Sequence, residues 1–279
     1  MHHKEGKNII IIVFFFGELP WYCSYFLQSC SYNPSVNFLV VTDQDYTGQI
    51  PQNVRFLKRS RRQIKELADR KLACNPTIDP QPYKFCDYRP AFGVIFQEYI
   101  KDYAFWGHGD LDVIFGQIRN FVTDELLSNY DVISMRRSYI SSWFTLYRNS
   151  RKVNQLYTKS NDFLKVFTTS KYFNFDETNF KFIEFFDGLP YRDIDSEVES
   201  MTHLVNKLHD ESYIRAYFDL HAIERLTGDI TWNKGQLIYK NEYEILLYHL
   251  KHLKTKYKPE KIPKKIPDIF HIGQSRIYH

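Results

Sequence analysis

The chain has 279 residues, a formal net charge of +4, 43% hydrophobic residues and 25% charged residues. That length suits one large domain, or one domain with a small appendage, whose core needs no covalent or metal staple. The composition is that of an ordinary globular protein, and so small a positive charge argues against nucleic acid as a partner.

The first predicted element is a strand over 8–16. Its β-branched and aromatic residues are those of a strand covered on both faces. The run follows a basic start, but it lacks a small-residue cleavage site and is too short to span a membrane. Gly17-Glu18-Leu19-Pro20 breaks it. An amphipathic helix over 21–30, strands over 36–41 and 54–57 and a helix over 61–72 follow, with Asn33-Pro34 and Thr42-Asp43 as punctuation. Strands alternating with helices through short loops predict a parallel α/β sheet. Helices are predicted over 91–99, 118–127, 154–167 and 196–209, and strands over 131–135 and 142–147. Thr231 to Leu237 reads as a hairpin turning at Gly235. The segment 243–254 forms a helix or strand carrying His249 and His252. From Tyr257 on, Pro259, Pro263 and Pro267 predict a tail extended over the surface.

Two features of composition bear on location. Cys23, Cys30, Cys74 and Cys86 form no Cys-x-x-Cys pair, so reduced thiols in a cytosolic protein are expected and a zinc site is not. Arg59, Arg61, Arg62 and Lys65 form one basic cluster. Lys251, Lys254, Lys256, Lys258, Lys261, Lys264 and Lys265 form a second, which suits either a solvated tail or contact with an anionic bilayer.

The chemistry concentrates in Phe105-Trp106-Gly107-His108-Gly109-Asp110-Leu111-Asp112-Val113-Ile114-Phe115-Gly116. Alternate residues of an extended chain point the same way, so Asp110 and Asp112 aim two carboxylates at one point. Such a pair repels itself unless a proton or cation intervenes. The apolar flanks set it against a core, where unpaired carboxylates are rare. Mg²⁺ or Mn²⁺ suits these oxygens and a substrate diphosphate, as an enzyme using a nucleotide-sugar requires. Ligands of parallel α/β sheets bind beyond the carboxyl ends of the strands. Gly17, Asp43 and Asp110 all fall at such ends. Lys84, Asp87 and Arg89, in Pro82-Tyr83-Lys84-Phe85-Cys86-Asp87-Tyr88-Arg89-Pro90-Ala91-Phe92-Gly93, are candidates for holding diphosphate, base or ribose.

The order strand–Pro-Trp, Asn-Pro–strand–Thr-Asp, Tyr-Lys-x-Cys-Asp-Tyr-Arg-Pro-Ala-Phe-Gly, Phe-Trp-Gly-x-x-Asp-x-Asp-x-x-Phe-Gly resembles a family of bacterial glycosyltransferases of the GT-A fold. That family is encoded with capsule and lipopolysaccharide genes, and the resemblance spans roughly residues 8–255. It implies a Rossmann-type mixed sheet flanked by helices, a GT-A domain over 1–255 and a basic, proline-containing tail over 256–279. It also implies sugar transfer from a nucleotide-diphosphate donor, for which a UDP-sugar is expected; galactose and galactofuranose are candidate sugars, which the sequence itself does not reveal. The acceptor would be a glycan or lipid-linked glycan at the inner face of the cell membrane. Asp110 and Asp112 match the family's metal-binding aspartates for Mn²⁺ or Mg²⁺. His249, with His252 as the alternative, falls where a further ligand is supplied. Phe175-Asp176-Glu177 matches an acidic motif where inverting enzymes carry their base, making Asp176 and Glu177 the catalytic candidates. Gly17, Asp43, Lys84, Asp87, Arg89 and Asp110 are the donor-binding candidates.

Two other readings compete. A nucleotidyltransferase would usually carry a glycine-rich phosphate loop after the first strand, which Gly17-Glu18-Leu19-Pro20 is not. A non-catalytic, membrane-peripheral scaffold of polysaccharide assembly would need none of Asp110, Asp112, Asp176 and Glu177.

Overall fold

The structure is a computed structural model and describes residues 7–72, 74–78, 82–219, 221–225 and 228–279. Strand β1 (Lys7–Phe15) lies inside its main sheet. It pairs in parallel with β2 (Val36–Thr42) on one side and, on the other, with β4 (Tyr103–Gly109). Strand β3 (Val54–Lys58) extends the sheet beyond β2, also in parallel. Strand β5 (Val113–Phe115) leaves this sheet, and β6 (Val132–Ser134), β7 (Phe144–Arg148) and β8 (Ala216–Phe218) complete it in the order β3-β2-β1-β4-β7-β6-β8. Only β7 runs against its neighbours.

Burial on both faces explains the unbroken apolar run of β1. Ile9, Ile11 and Val13 pack with the helix Cys23–Ser31 and the C-terminal strands. Ile10 and Ile12 pack with the helix Arg61–Lys71 and the aromatic segment around Phe85, Phe92 and Phe96. Each such side chain, taken fully out of water, stabilises the fold by about 1.5–3 kcal/mol. The Arg61–Lys71 helix starts at a capping box, in which Ser60 and Gln63 each accept the other's backbone N–H.

Two smaller sheets lie beside the main one. Strand β9 (Ala222–Ile223) joins a three-stranded sheet whose other members are β5 and a later strand over Leu247–His249. Strands β10 (Ile230–Asn233) and β11 (Gln236–Tyr239) form the predicted hairpin, continued by β12 (Tyr243–Ile245). The turn is Lys234-Gly235, with φ of 46° and 91°, the positive pair that a two-residue hairpin favours. Strand β13 (Leu247–His249) returns to β5, while β14 (Ile269–Ile272) and β15 (Ile277–Tyr278) add to the hairpin sheet.

The Rossmann-type mixed sheet flanked by helices is the architecture predicted for the chain. Some elements differ. The helix expected over 118–127 is two, Ile118–Phe121 and Asp124–Asn129, because the Thr123 side chain caps a new start. The helix expected over 154–167 breaks into short pieces around Ser160, whose hydroxyl bonds Glu199 O instead. The segment after Tyr257, expected to run over the surface, instead returns to the body. Phe270 is buried and stacks on Trp232 with ring centroids 4.9 Å apart. No helix among the described residues is long and apolar enough to cross a membrane.

Candidate metal and donor site

The carboxyl ends of β2, β1 and β4 lie side by side, with Phe15 level with Thr42 and Val13 level with Gly109. Gly17 turns just past β1 with φ of 94°, a conformation that side chains resist. Its N–H donates to Asp43 Oδ1 at 2.9 Å. Burial pushes the Asp43 carboxyl up, but this bond and that from Gln44 hold it below its usual value. Arg61 lies over the Phe16 ring at 5.2 Å and faces Asp43 electrostatically. Gly17 and Asp43 thus form one corner.

Asp110 and Asp112 follow β4. Strand β5 starts at once and pairs antiparallel with β13, placing His249 opposite Val113. One ligand atom from each of Asp110, Asp112 and His249 lies within 4.8 Å of the others. Two carboxylate oxygens and an imidazole nitrogen suit Mn²⁺ or Mg²⁺ better than softer metals. His252 is exposed beside the short helix Leu253–Lys256 and stands outside this trio.

Cations of the chain already sit on these acids. Lys254 Nζ is 2.5 Å and His249 Nε2 is 3.3 Å from Asp112 Oδ2. Burial pushes Asp112 up, but these two contacts hold it well below the usual carboxylate range. Burial opposes charge on His249, yet Asp112 and Glu224 together raise it to about 9. Arg89 bridges the site. One guanidinium nitrogen pairs with Asp110 Oδ1, and the other is 3.0 Å from Asp176 Oδ2. Burial disfavours the Arg89 charge, but Asp110 and Asp176 keep it firmly protonated.

Asp176 and Glu177 lie behind Arg89. Asp176 Oδ1 is buried without a hydrogen-bond partner, and burial raises this carboxyl well above its usual value despite Arg89. Both oxygens of Glu177 are taken, one by Ser142 N–H at 2.8 Å and one by the Asn174 side chain at 2.8 Å.

Lys84 and Asp87, expected to hold the donor, lie inside the protein. Both side chains are 0% exposed. Lys84 Nζ donates to Asp87 Oδ2 at 2.9 Å and to the carbonyls of Val166 at 2.5 Å and Lys171 at 2.9 Å, which uses all three of its protons. Asp87 accepts the N–H groups of Phe173 at 3.0 Å and Phe175 at 2.8 Å. In this arrangement the pair fixes the segment that presents Asp176. Two residues near the trio were not singled out in sequence. Glu224 Oε1 is 3.2 Å from His249 Nδ1, and Arg136 pairs with Glu224 Oε2. Neither stands in a motif; the pairing of β9 with β13 brings Glu224 in, and Arg136 reaches it from the segment after β6.

A galactosyltransferase, LgtC, solved with donor and acceptor sugar analogues, is 10% identical with a TM-score of 0.42, over 86% of each chain. A glycosyltransferase involved in glycosylation of the major capsid of PBCV-1 is 10% identical with a TM-score of 0.41, over 89% of this chain and 96% of that one. Likenesses this distant say nothing about chemistry. No curated protein matches the sequence. A family model does match, over residues 11–278, and the chain belongs to that family, a family of unknown function (DUF6625).

Proposed function

We propose that the chain is a metal-dependent glycosyltransferase of the GT-A type. It would move a sugar from a nucleotide-diphosphate donor to a glycan or lipid-linked glycan acceptor in bacterial surface-polysaccharide synthesis. A UDP-sugar of galactose or galactofuranose is the leading candidate. The observation that carries this reading is the convergence of Asp110, Asp112 and His249 at the carboxyl edge of the sheet. A nucleotidyltransferase would share the acids, but the chain turns from β1 through a single tight bond, Gly17 to Asp43, and not through a phosphate-cradling loop.

Asp110, Asp112 and His249 would hold Mn²⁺ or Mg²⁺, which when bound supplies charge to stabilise the departing diphosphate. Gly17 and Asp43 form the corner suited to base and ribose. Arg89 orients Asp110 and Asp176 and adds positive charge beside the phosphate side. Between the two acids, Asp176 is assigned as base, since its Oδ1 alone has no bond to surrender; its side chain is 0% exposed, so an acceptor would reach it only once Arg89 and the segment around it open. A base there would take the acceptor hydroxyl proton as that oxygen attacks the anomeric carbon, and the reaction would invert the centre. The exposed lysines of 256–265 would rest on the anionic inner face of the cell membrane.

The test is release of free nucleoside diphosphate from a panel of nucleotide-sugars, with and without Mn²⁺. Mn²⁺-dependent release from one donor is expected. If no donor is turned over and calorimetry detects no nucleoside diphosphate binding, the reading is wrong.

A further inference from the structure

The three-stranded sheet aligns more than His249. Val113 stands opposite His249, and Ile223 is level with Tyr248 on the parallel strand. Asp112, His249 and Glu224 therefore fall at one end of three adjacent strands. The imidazole lies between the two acids, with Nε2 3.3 Å from Asp112 Oδ2 and Nδ1 3.2 Å from Glu224 Oε1. Glu224 is itself held, by Arg136 on Oε2 and by Lys251 Nζ 3.4 Å from Oε1. The Arg136 guanidinium lies 5.3 Å over the Trp143 ring, whose centroid is 5.9 Å from that of His249. His249 Nδ1 has no aligned hydrogen bond despite its closeness to Glu224.

We propose that Glu224, braced by Arg136, is the positioning residue that presents His249 Nε2 to a divalent cation shared with Asp110 and Asp112. The inference rests on the metal reading given above. An imidazole can ligate through one nitrogen only if its proton sits on the other. An acceptor beside Nδ1 keeps that proton there and fixes the ring plane, and a carboxylate also makes the ligating nitrogen a better base. A carboxylate this sheltered needs its own partner, which Arg136 supplies. A simpler role would have Arg136 and Glu224 merely join the segment before Trp143 to the small sheet. The two roles differ in what they do to metal affinity.

Binding of Mn²⁺ alone, followed by the electron spin resonance signal of the free ion, separates them. The variants are Glu224→Gln, Glu224→Asp, Arg136→Gln and Asp112→Asn, each with its melting temperature. The wild-type protein binds Mn²⁺ and Asp112→Asn does not. Glu224→Gln raises Kd roughly 10–100-fold, and Glu224→Asp restores part of it. Arg136→Gln, one contact further out, moves Kd in the same direction and keeps the test alive if Glu224→Gln does not fold. Pulsed measurements show histidine nitrogen coupled to bound Mn²⁺ in the wild-type protein, and weaker coupling in Glu224→Gln. Lower melting temperatures with Kd and nitrogen coupling unchanged overturn the proposal while leaving the metal site intact. A wild-type protein that binds Mn²⁺ no better than Asp112→Asn overturns the metal reading itself, and this inference with it.

Discussion

Replacing Lys84 by Met removes a fully buried ammonium while nearly preserving volume. Lys84 and Asp87 are both 0% exposed, and burial pulls the lysine down and pushes the aspartate up, each opposed by the other's charge. In Lys84→Met the Asp87 carboxylate keeps its two backbone donors, Phe173 and Phe175, but loses its counter-charge. The carbonyls of Val166 and Lys171 lose a donor as well. Breaking a buried pair from one side costs about 3–5 kcal/mol. For a chain of this size that is a melting temperature lower by roughly 5–9 °C. Urea unfolding followed by tryptophan fluorescence measures it. The double variant Lys84→Met/Asp87→Asn should lose less than the sum of the single losses, since no uncompensated charge remains in it. Because the pair supports the Asp176 segment and touches no open surface, nucleotide affinity at low temperature should stay within about threefold, a shift below 1 kcal/mol. A variant as stable as the wild-type protein that has lost nucleotide binding would refute this reasoning and return Lys84 to the ligand.

Three further outcomes are expected. Asp176→Asn should lower kcat by about 10²–10⁴-fold, whereas Glu177→Gln, which disturbs the bonds to Ser142 and Asn174, should mainly cost about 1–3 kcal/mol of stability; steady-state kinetics and urea unfolding on both variants check this. His203 is disfavoured as a cation by burial, with Nδ1 2.8 Å from Ser200 Oγ and Nε2 unpartnered. The unfolded chain takes up this proton near pH 6.5 and the folded chain resists it, so the stability it provides is full above pH 6.5 and falls below. Between pH 7.5 and 5.5, urea unfolding of His203→Gln should be less pH-dependent than that of the wild-type protein, and equal slopes would remove His203 from the account. Alanine at the exposed Lys256, Lys258 and Lys261 should weaken sedimentation with anionic vesicles by about 1 kcal/mol per lysine, and unchanged binding would leave that segment a solvated surface.

The central strands were legible because burial on both faces imposes a continuous apolar run, as in Ile9 to Val13. Asp110 and Asp112 were legible because the spacing and the apolar flanks are local. What sequence could not show is set by non-local pairing. Phe270 and Ile272 alternate as a strand should, with the prolines before them suggesting a loose tail, but their partner is Ile230 to Asn233. Lys84 and Asp87 carry a charge pattern that suits a diphosphate as well as an internal brace. Burial decides between these, and burial depends on the carbonyls of Val166 and Lys171, which lie far along the chain.

The same dependence explains the balance of charge at the site. Asp110 and Asp176 share Arg89, Asp112 takes Lys254 and His249, and Glu224 takes Arg136. Partly buried carboxylates this close together would repel and destabilise the fold if unpaired, so the chain supplies its own cations. A divalent ion held by Asp110 and Asp112, as proposed, would replace part of that compensation and would not add to it. Lys254, on the short helix after His249, is the cation best placed to yield, being half-exposed where Arg89 is buried between two acids. A lysine released beside a site for anionic diphosphate stays within reach of negative charge. The arrangement thus keeps the acids compensated with or without the ion. On the proposed reading the fold would then not depend on metal, and metal affinity would follow from the placement of Asp110, Asp112 and His249.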